Sequence, residues 1–143
     1  TISDHVFGSR RGPVAAVLYA MMLIGAGIAW FLLGSPLLGW LMVAMSMCII
    51  GVHGMLSGTA SMDFGGKKNA GLAVGIIDGF VYLGTAAQAV SLGHTLPKVG
   101  TPEAAIASNW GNWPLVMLPA AALGLALSLK LWNAKPRGAS AGH

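Results

Sequence analysis

The longest uncharged stretch of the chain runs from Gly12 to Met62 and contains no Lys, Arg, Asp or Glu. About 20 apolar residues are enough to cross the hydrocarbon core of a bilayer as a helix, so this stretch is long enough for two crossings. The Gly-Ser-Pro tripeptide at 34–36 is the natural break, because Gly and Pro interrupt helices and Pro is compatible with a first helical turn. The stretch therefore predicts two transmembrane helices, 13–33 and 36–61.

Composition indicates a membrane protein throughout the chain. Of the 143 residues, 55% are hydrophobic and 8% are charged, whereas soluble domains carry about 25% charged residues. Two further apolar segments, 69–92 and 113–132, are each long enough for one span. The predicted fold is therefore all-α and integral to the membrane, with four transmembrane helices.

The segments between these helices set the predicted topology. They are a cytoplasmic loop at 1–12, a cytoplasmic turn at 62–68, an extracytoplasmic loop at 93–112 and a cytoplasmic tail at 133–143. Four spans place all of them except the 93–112 loop on one side of the membrane. That side holds seven basic residues, and the other holds only Lys98. The seven are Arg10, Arg11, Lys67, Lys68, Lys130, Lys135 and Arg137. Because cytoplasmic segments carry the excess of Lys and Arg, both ends of the chain are predicted to face the cytoplasm.

Asp78 is an acidic residue deep within a predicted span. It lies ten residues beyond Lys68, or about 15 Å along a helix, close to the middle of a hydrocarbon layer about 30 Å thick. A carboxylate at that depth faces the bundle interior, a water-filled cavity or a partner group. Two interpretations stay open: a residue of a substrate pathway, or a structural aspartate bonded to a neighbouring helix.

Tyr82 follows Asp78 by four residues and so shares its helical face. It fits either a contact to a substrate or an anchor at the membrane interface, where tyrosine is common. Gly71, Gly75 and Gly79 lie on the same helix, and their small size is expected to let a second helix pack closely.

His53 is the polar residue of the second span that the depth calculation singles out. It stands nine residues before Met62, about 13–14 Å from the same membrane face, and therefore at nearly the level of Asp78. A His53–Asp78 pair would satisfy both groups, and a histidine bonded to a backbone carbonyl is the alternative. The glycines around it fit either a pliable helix or tight packing.

No pattern in the chain predicts catalysis. There is no nucleophile and base motif, no metal-ligand spacing and no phosphate-binding loop, and the eight basic residues are too scattered for nucleic-acid binding. We therefore expect a protein that is not an enzyme, with no catalytic residue, metal or cofactor and no nucleic-acid partner.

The first ten-residue signature, SDHVFGSRRG at 3–12, resembles the loop motif of the major facilitator superfamily. Asp4, Gly8, Arg10 and Arg11 match it, and His5 stands where the motif usually has Arg. The glycine that opens the motif would precede Thr1, so the chain is expected to be a piece of a longer polypeptide. In that superfamily the motif follows the second and eighth helices. This copy resembles the second one, which implies that the four spans correspond to helices nine to twelve, the last four.

A second signature, KKNAGLAVGIIDGFVYLG at 67–84, is similar to the tenth-to-eleventh helix region of the organophosphate:phosphate antiporters. The matching residues are Lys67, Lys68, Ala70, Gly71, Gly75, Tyr82, Leu83 and Gly84. The resemblance implies a conformational motif made of Asp4, Gly8, Arg10 and Arg11 together with Lys67 and Lys68. It also implies that Tyr82 faces the central cavity, whereas roles for Asp78 and His53 depend on depth alone.

The resemblance implies a secondary transporter of the bacterial inner membrane. Such a protein exchanges an organic phosphate (glycerol-3-phosphate, phosphoglycerate or a sugar phosphate) for inorganic phosphate by alternating access. The expected partners are the lipid bilayer, the missing N-terminal transporter helices and these small phosphorylated metabolites. The family's phosphate-binding arginines belong to the first and seventh helices, which this chain does not include.

Two alternatives remain open at this point. One is a facilitator-superfamily transporter of another organic anion. The other is a stand-alone four-helix membrane subunit, which the length of the chain permits.

Overall fold

The structure, a computed structural model, describes residues 5–135 apart from the side chain of Lys67. Within that range it contains four long helices and no strand: α1 (Arg11–Phe31), α2 (Leu37–Gly66), α3 (Lys68–Thr95) and α4 (Asn112–Lys130). Each of the four is long and apolar enough to cross a membrane, counting α4 with the short helix before it. The predicted fold class, an all-α membrane protein with four spanning helices, is confirmed.

Helix α1 forms the centre of the bundle because it packs against both α4 and α2. Small residues allow the close approach: Gly12, Ala15, Ala16, Gly25, Ala26 and Ala29 are all buried. A Cβ on Gly12 would overlap the backbone carbonyl of Leu131, just past the end of α4. Packing of small residues is a main source of helix association in lipid, where apolar burial between helices gives little.

The buried core lies between α1, α2 and α4. Met22, Cys48, Val52 and Ala121 are buried together, and the half-buried side chains of Leu18, Tyr19, Leu23 and Leu56 pack around them. Large apolar side chains elsewhere point outward; Phe31 and Trp40 are about four-fifths exposed. Exposed apolar surface on this scale fits a chain whose outer surface contacts lipid rather than water.

Helix α2 changes its hydrogen-bonding pattern in its second half. From Gly54 to Ala60 it is a π-helix, which is the wider winding that often occurs at functional sites. The hydroxyl of Ser61 donates to the carbonyls of Ser57 and Gly58, at 2.6 and 2.8 Å. The π-helical segment begins directly after His53. It lies in the glycine-containing region whose sequence fits either a pliable helix or a site of tight packing.

The reversal between α2 and α3 is shorter than the predicted turn at 62–68. Helical structure continues to Gly66, the one residue in this region with non-helical dihedral angles (φ 68°, ψ 167°). Positive φ is strained for residues with a Cβ and free of that strain for glycine. The chain can therefore turn back at a single position, with Gly65 packed against Ala70 and Ala73 of α3.

Helix α3 is the least covered of the four. None of its most apolar 18-residue window is buried, against a third of the corresponding window in α1. The loop after it forms two short 3-10 helices, Pro102–Ala105 and Ala107–Trp110. The Trp110 indole N–H donates to the Ala104 carbonyl, and the Asn112 amide donates to the Thr95 carbonyl. These bonds hold the loop between the ends of α3 and α4.

Candidate functional site

A cavity of about 780 Å³ is bounded by all four helices. Its wall on α3 runs from Ile77 to Ser91, and α1, α2 and α4 contribute residues from 19–22, 49–56 and 116–121. The cavity therefore extends about 20 Å along α3, at 1.5 Å per residue. A volume of this size is within the range typical of small-molecule sites.

Polar side chains line this cavity, and most of them have no partner among residues 5–135. The polar groups in its wall are those of Tyr19, His53, Tyr82, Thr85, Gln88 and Ser91. Thr85 is satisfied locally, because its hydroxyl donates to the Val81 carbonyl at 2.9 Å. The other five side chains make no hydrogen bond to any residue in 5–135. Polar groups within membrane spans are costly unless water, protein or a ligand satisfies them.

The described part of the cavity wall has no lysine, arginine or carboxylate side chain. The described residues that line it include no Lys, Arg, Asp or Glu. Phosphate is recognised chiefly by cationic side chains or clusters of N–H donors. These walls can therefore donate and accept hydrogen bonds, and their described residues include no lysine or arginine to bind a phosphate dianion.

Two of the predicted site residues, Tyr82 and His53, lie on this cavity. Tyr82 is 74% exposed, so its ring is not packed in the bundle. On α2, His53 is exposed too. The structure thus brings together the phenol and the imidazole, which the sequence places on adjacent helices.

Asp78 is outside the cavity lining and is bonded to a residue that the depth calculation does not single out. Its carboxylate accepts a hydrogen bond from the Ser57 hydroxyl at 2.7 Å, between α3 and α2. The two helices are antiparallel. His53 is four residues farther from the turn than Ser57, and Tyr82 is four residues farther from it than Asp78, so His53 lies level with Tyr82. The expected common depth of His53 and Asp78 is therefore wrong by about one helical turn. The reason is that α2 continues to Gly66, and counting from that residue would have pointed to Ser57.

The loop motif before α1 connects three parts of the bundle. The Arg11 guanidinium forms an ion pair with the Asp63 carboxylate at 2.8 Å, and both side chains are largely buried. Arg10 donates to the Phe7 carbonyl at 3.0 Å and to the Asn133 side chain at 3.4 Å. The structure therefore places the start of α1, the end of α2 and the end of α4 at one end of the bundle.

Backbone geometry explains the Gly8 position of the motif. Gly8 has φ +56° and the following Ser9 has φ +60°, so the chain takes two successive left-handed residues before α1. The ring of Phe7 then meets the ring of Trp132 edge to face, with centroids 6.5 Å apart. Asp4 and Arg137 lie outside the described residues, as does the side chain of Lys67, while Lys68 is exposed.

The three glycines predicted to pack against a helix have no neighbour among the described residues. A Cβ added to Gly71, Gly75 or Gly79 would meet no atom within 4 Å in residues 5–135. The expected packing partner is therefore not one of these four helices. Gly12 instead allows a close approach of two backbones, and Gly124 makes room for the Tyr19 ring.

Several residues of the site were not predicted from the sequence. Gln88 and Ser91 line the cavity from α3, six and nine residues beyond Tyr82, and Tyr19 lines it from α1. The available signal was that Gln88 is the single glutamine of the chain and lies within an apolar helix. Ser57 and Asp63 required the contacts between helices, because neither has a sequence pattern of its own.

Comparison with known proteins finds relatives along nearly the whole chain. It is 31% identical over 142 residues to the membrane sensor protein UhpC of Escherichia coli (strain K12), covering 96% of the chain and 30% of that protein. It is 27% identical over 139 residues to the glycerol-3-phosphate transporter of Bacillus subtilis (strain 168), covering 95% of the chain and 29% of the transporter. A second UhpC, from Salmonella typhimurium, is 29% identical over 137 residues, or 93% of the chain and 28% of the protein.

The chain thus spans between 28% and 30% of the length of these curated relatives. No family model matches it, and no solved structure does.

Proposed function

The chain is a homologue of the organophosphate:phosphate antiporters of the major facilitator superfamily, and from that relationship we propose that it is part of a secondary active transporter. The transporter exchanges an organic phosphate, such as glycerol-3-phosphate, phosphoglycerate or a sugar phosphate, for inorganic phosphate by alternating access. It lies in the bacterial inner membrane. The bundle end that carries Arg10, Arg11 and Lys68 faces the cytoplasm, as the excess of basic residues there indicates.

One observation carries this proposal: a chain related along nearly its whole length to a transporter and to membrane sensors contains a cavity lined by polar groups that have no partner among residues 5–135. An apolar four-helix subunit would have no reason to keep five polar side chains around one cavity without a partner among residues 5–135. Tyr82 and His53 contact the substrate in this proposal. Asp78 acts one turn away, through Ser57, by holding α3 to α2.

The loop motif supplies the conformational part of the proposal. Asp4, Gly8, Arg10, Arg11, Lys67 and Lys68 form the motif carried over from the resemblance. The Arg11–Asp63 ion pair links the loop to the end of α2. A pair of this kind can break and re-form as two parts of a transporter rock against each other.

The phosphate group itself binds elsewhere in this proposal. Because the cavity walls described here contain no cation, phosphate contacts come from helices that lie outside this chain, in agreement with the family's arginines in the first and seventh helices. This chain supplies one side of the pathway, and Gly71, Gly75 and Gly79 on the open face of α3 are where a further helix packs.

The test is phosphate exchange by the complete transporter of which the proposal makes this chain a part, reconstituted in liposomes. Vesicles loaded with unlabelled phosphate are expected to take up labelled phosphate, and external glycerol-3-phosphate or phosphoglycerate should compete with it. Tyr82→Phe should raise the concentration of glycerol-3-phosphate that is needed to compete with labelled phosphate. If that concentration does not change, Tyr82 is no more than an interfacial anchor. Vesicles that show no counterflow above protein-free controls would contradict the transport proposal.

Sensing is a second candidate function, because two of the three relatives compared are named membrane sensor proteins. A sensor binds the organic phosphate and needs no exchange. Saturable binding of labelled glycerol-3-phosphate without counterflow would favour this candidate.

A further inference from the structure

Gln88 is the polar residue of the cavity with the largest unused hydrogen-bonding capacity. Its carboxamide carries two N–H donors and an acceptor oxygen, and it makes no hydrogen bond to any residue in 5–135. Ser91, one turn farther along α3, lines the cavity with an equally unpaired hydroxyl. Thr85, one turn before, gives its hydroxyl to the Val81 carbonyl. The two unpaired groups thus form a pair beyond Tyr82.

The chemistry of this pair favours a hydroxyl-bearing ligand over an anion. A carboxamide and a hydroxyl each donate and accept hydrogen bonds, which matches the paired donor and acceptor character of an alcohol. The described wall around them has no cation, so a phosphate group there would lose hydration without gaining an opposite charge. Gln88 and Ser91 therefore suit the neutral part of a substrate.

Position along α3 supports the same division. Gln88 is six residues, or about 9 Å, farther from the Gly66 turn than Tyr82. It is about 30 Å from Lys68, which places it at the mouth of the cavity remote from that turn. A substrate whose phosphate is bound by helices outside this chain can extend its carbon skeleton along this wall.

We propose that Gln88 and Ser91 form a subsite that binds hydroxyl groups on the organic part of the substrate and does not contact its phosphate. This subsite depends on the proposed function in that it names which part of an organic phosphate the cavity wall recognises. Its consequence is selectivity: the wall distinguishes a polyol phosphate from inorganic phosphate, which has no carbon skeleton to place there.

The first experiment separates the two substrates in the same reconstituted protein. Gln88→Ala is expected to raise the half-saturating concentration of glycerol-3-phosphate about three- to tenfold, as for the loss of one or two neutral hydrogen bonds. The half-saturating concentration of phosphate in phosphate self-exchange should not change. Thr95→Val is the matched control, since Thr95 is on the same helix outside the cavity and donates to the Ser91 carbonyl. An equal rise for both substrates, or no rise for either, overturns the subsite.

A second experiment does not need transport. In a Cys48→Ser background, Gln88→Cys is labelled with a water-soluble maleimide in the presence of glycerol-3-phosphate or inorganic phosphate. Protection by glycerol-3-phosphate alone supports the subsite, and equal protection by both or by neither overturns it. Thr95→Cys should label at the same rate under all conditions. If the protein shows selective protection and yet exchanges no phosphate, the transport proposal fails and the subsite stands.

Discussion

Helices α1 and α3 are both apolar and contain several glycines, and they differ in what those glycines contact. In α1, Gly12 lies against the backbone that follows α4 and Gly25 lies against Met45 of α2. In α3, Gly71, Gly75, Gly79 and Gly84 have open space where a Cβ would be, as far as residues 5–135 extend. A glycine in a membrane helix thus indicates a possible close approach, and only the tertiary structure shows whether this chain provides the partner.

The polar side chains of the same two helices also differ in whether they have partners. At the start of α1, Arg10 and Arg11 are bonded to Asn133 and Asp63. On α3, Asp78 has a polar side-chain partner on α2, and the polar groups from Tyr82 to Ser91 line the cavity. The paired end holds the bundle together, and the unpaired wall is available for a ligand.

The largest expected effect is on the glycines themselves. A Cβ in Gly12→Ala would lie 2.7 Å from the Leu131 carbonyl carbon and 3.0 Å from the Trp132 Cα, both backbone atoms that cannot rotate away. We expect the free energy of unfolding in mixed micelles to fall by about 1–3 kcal/mol, as for other overpacked sites.

Gly75→Ala is the matched variant on α3, where the added methyl group meets nothing among the described residues. It should leave the free energy of unfolding unchanged or raise it by up to about 1 kcal/mol through helix propensity. A loss comparable to that of Gly12→Ala would show that another helix or a second copy covers this face.

The ion pair at the start of α1 should have an effect of similar or smaller size. In Asp63→Asn, Arg11 loses a charged partner at a site where the two side chains are 13% and 23% exposed. The expected loss in unfolding free energy is about 1–3 kcal/mol. A double-mutant cycle with Arg11→Gln measures the coupling, and strictly additive losses would mean that the pair contributes nothing as a pair.

Loss of the Asp78 carboxylate, which accepts a hydrogen bond from Ser57 of α2, should affect transport more than stability. Asp78→Asn keeps an oxygen that can accept from Ser57, so the free energy of unfolding should fall by less than about 1 kcal/mol. Phosphate exchange should nevertheless decrease several-fold, because the proposal has Asp78 hold α3 to α2 and an amide oxygen accepts a weaker hydrogen bond than a carboxylate. Normal exchange in this variant would assign Asp78 a structural role only.

The smallest expected effect is in the loop that follows α3. The backbone N–H of Glu103, and then the Thr101 hydroxyl, hold the pKa of the Glu103 carboxyl below its ordinary value. A lowered folded-state pKa stabilises the loop above the unfolded pKa, and that stabilisation is lost as pH falls through the folded pKa. In Thr101→Val, NMR titration should show a higher midpoint that is still below the ordinary one. A midpoint unchanged from the unsubstituted protein would assign the whole effect to the backbone.

Much of the fold was legible in the sequence because a bilayer leaves few choices. Four apolar segments of spanning length must be helices, since every backbone polar group in lipid has to be satisfied within its own segment. The structure has four such helices. The turn between α2 and α3 was harder to predict. The charged residues around it suggested a turn over 62–68, whereas the structure turns at Gly66 alone, which has a positive φ.

The site was legible only in part. Depth along a helix pointed to His53, and the spacing from Asp78 together with the family resemblance pointed to Tyr82; both line the cavity. Depth alone could not identify Ser57 as the partner of Asp78, because that contact depends on where α2 ends and on the π-helical segment that sets the direction of its side chains. The role of Gln88 required the shape of the cavity.

By itself, the sequence determined that this chain enters a membrane as four helices, because hydrophobicity and length are properties of each segment taken alone. It also determined the family relationship, which is carried by the order of residues. Only the tertiary structure decided that α1 is enclosed while α3 is open, and which polar groups are paired. Those outcomes depend on helix register and on the meeting of residues distant in the chain, and no single segment contains that information.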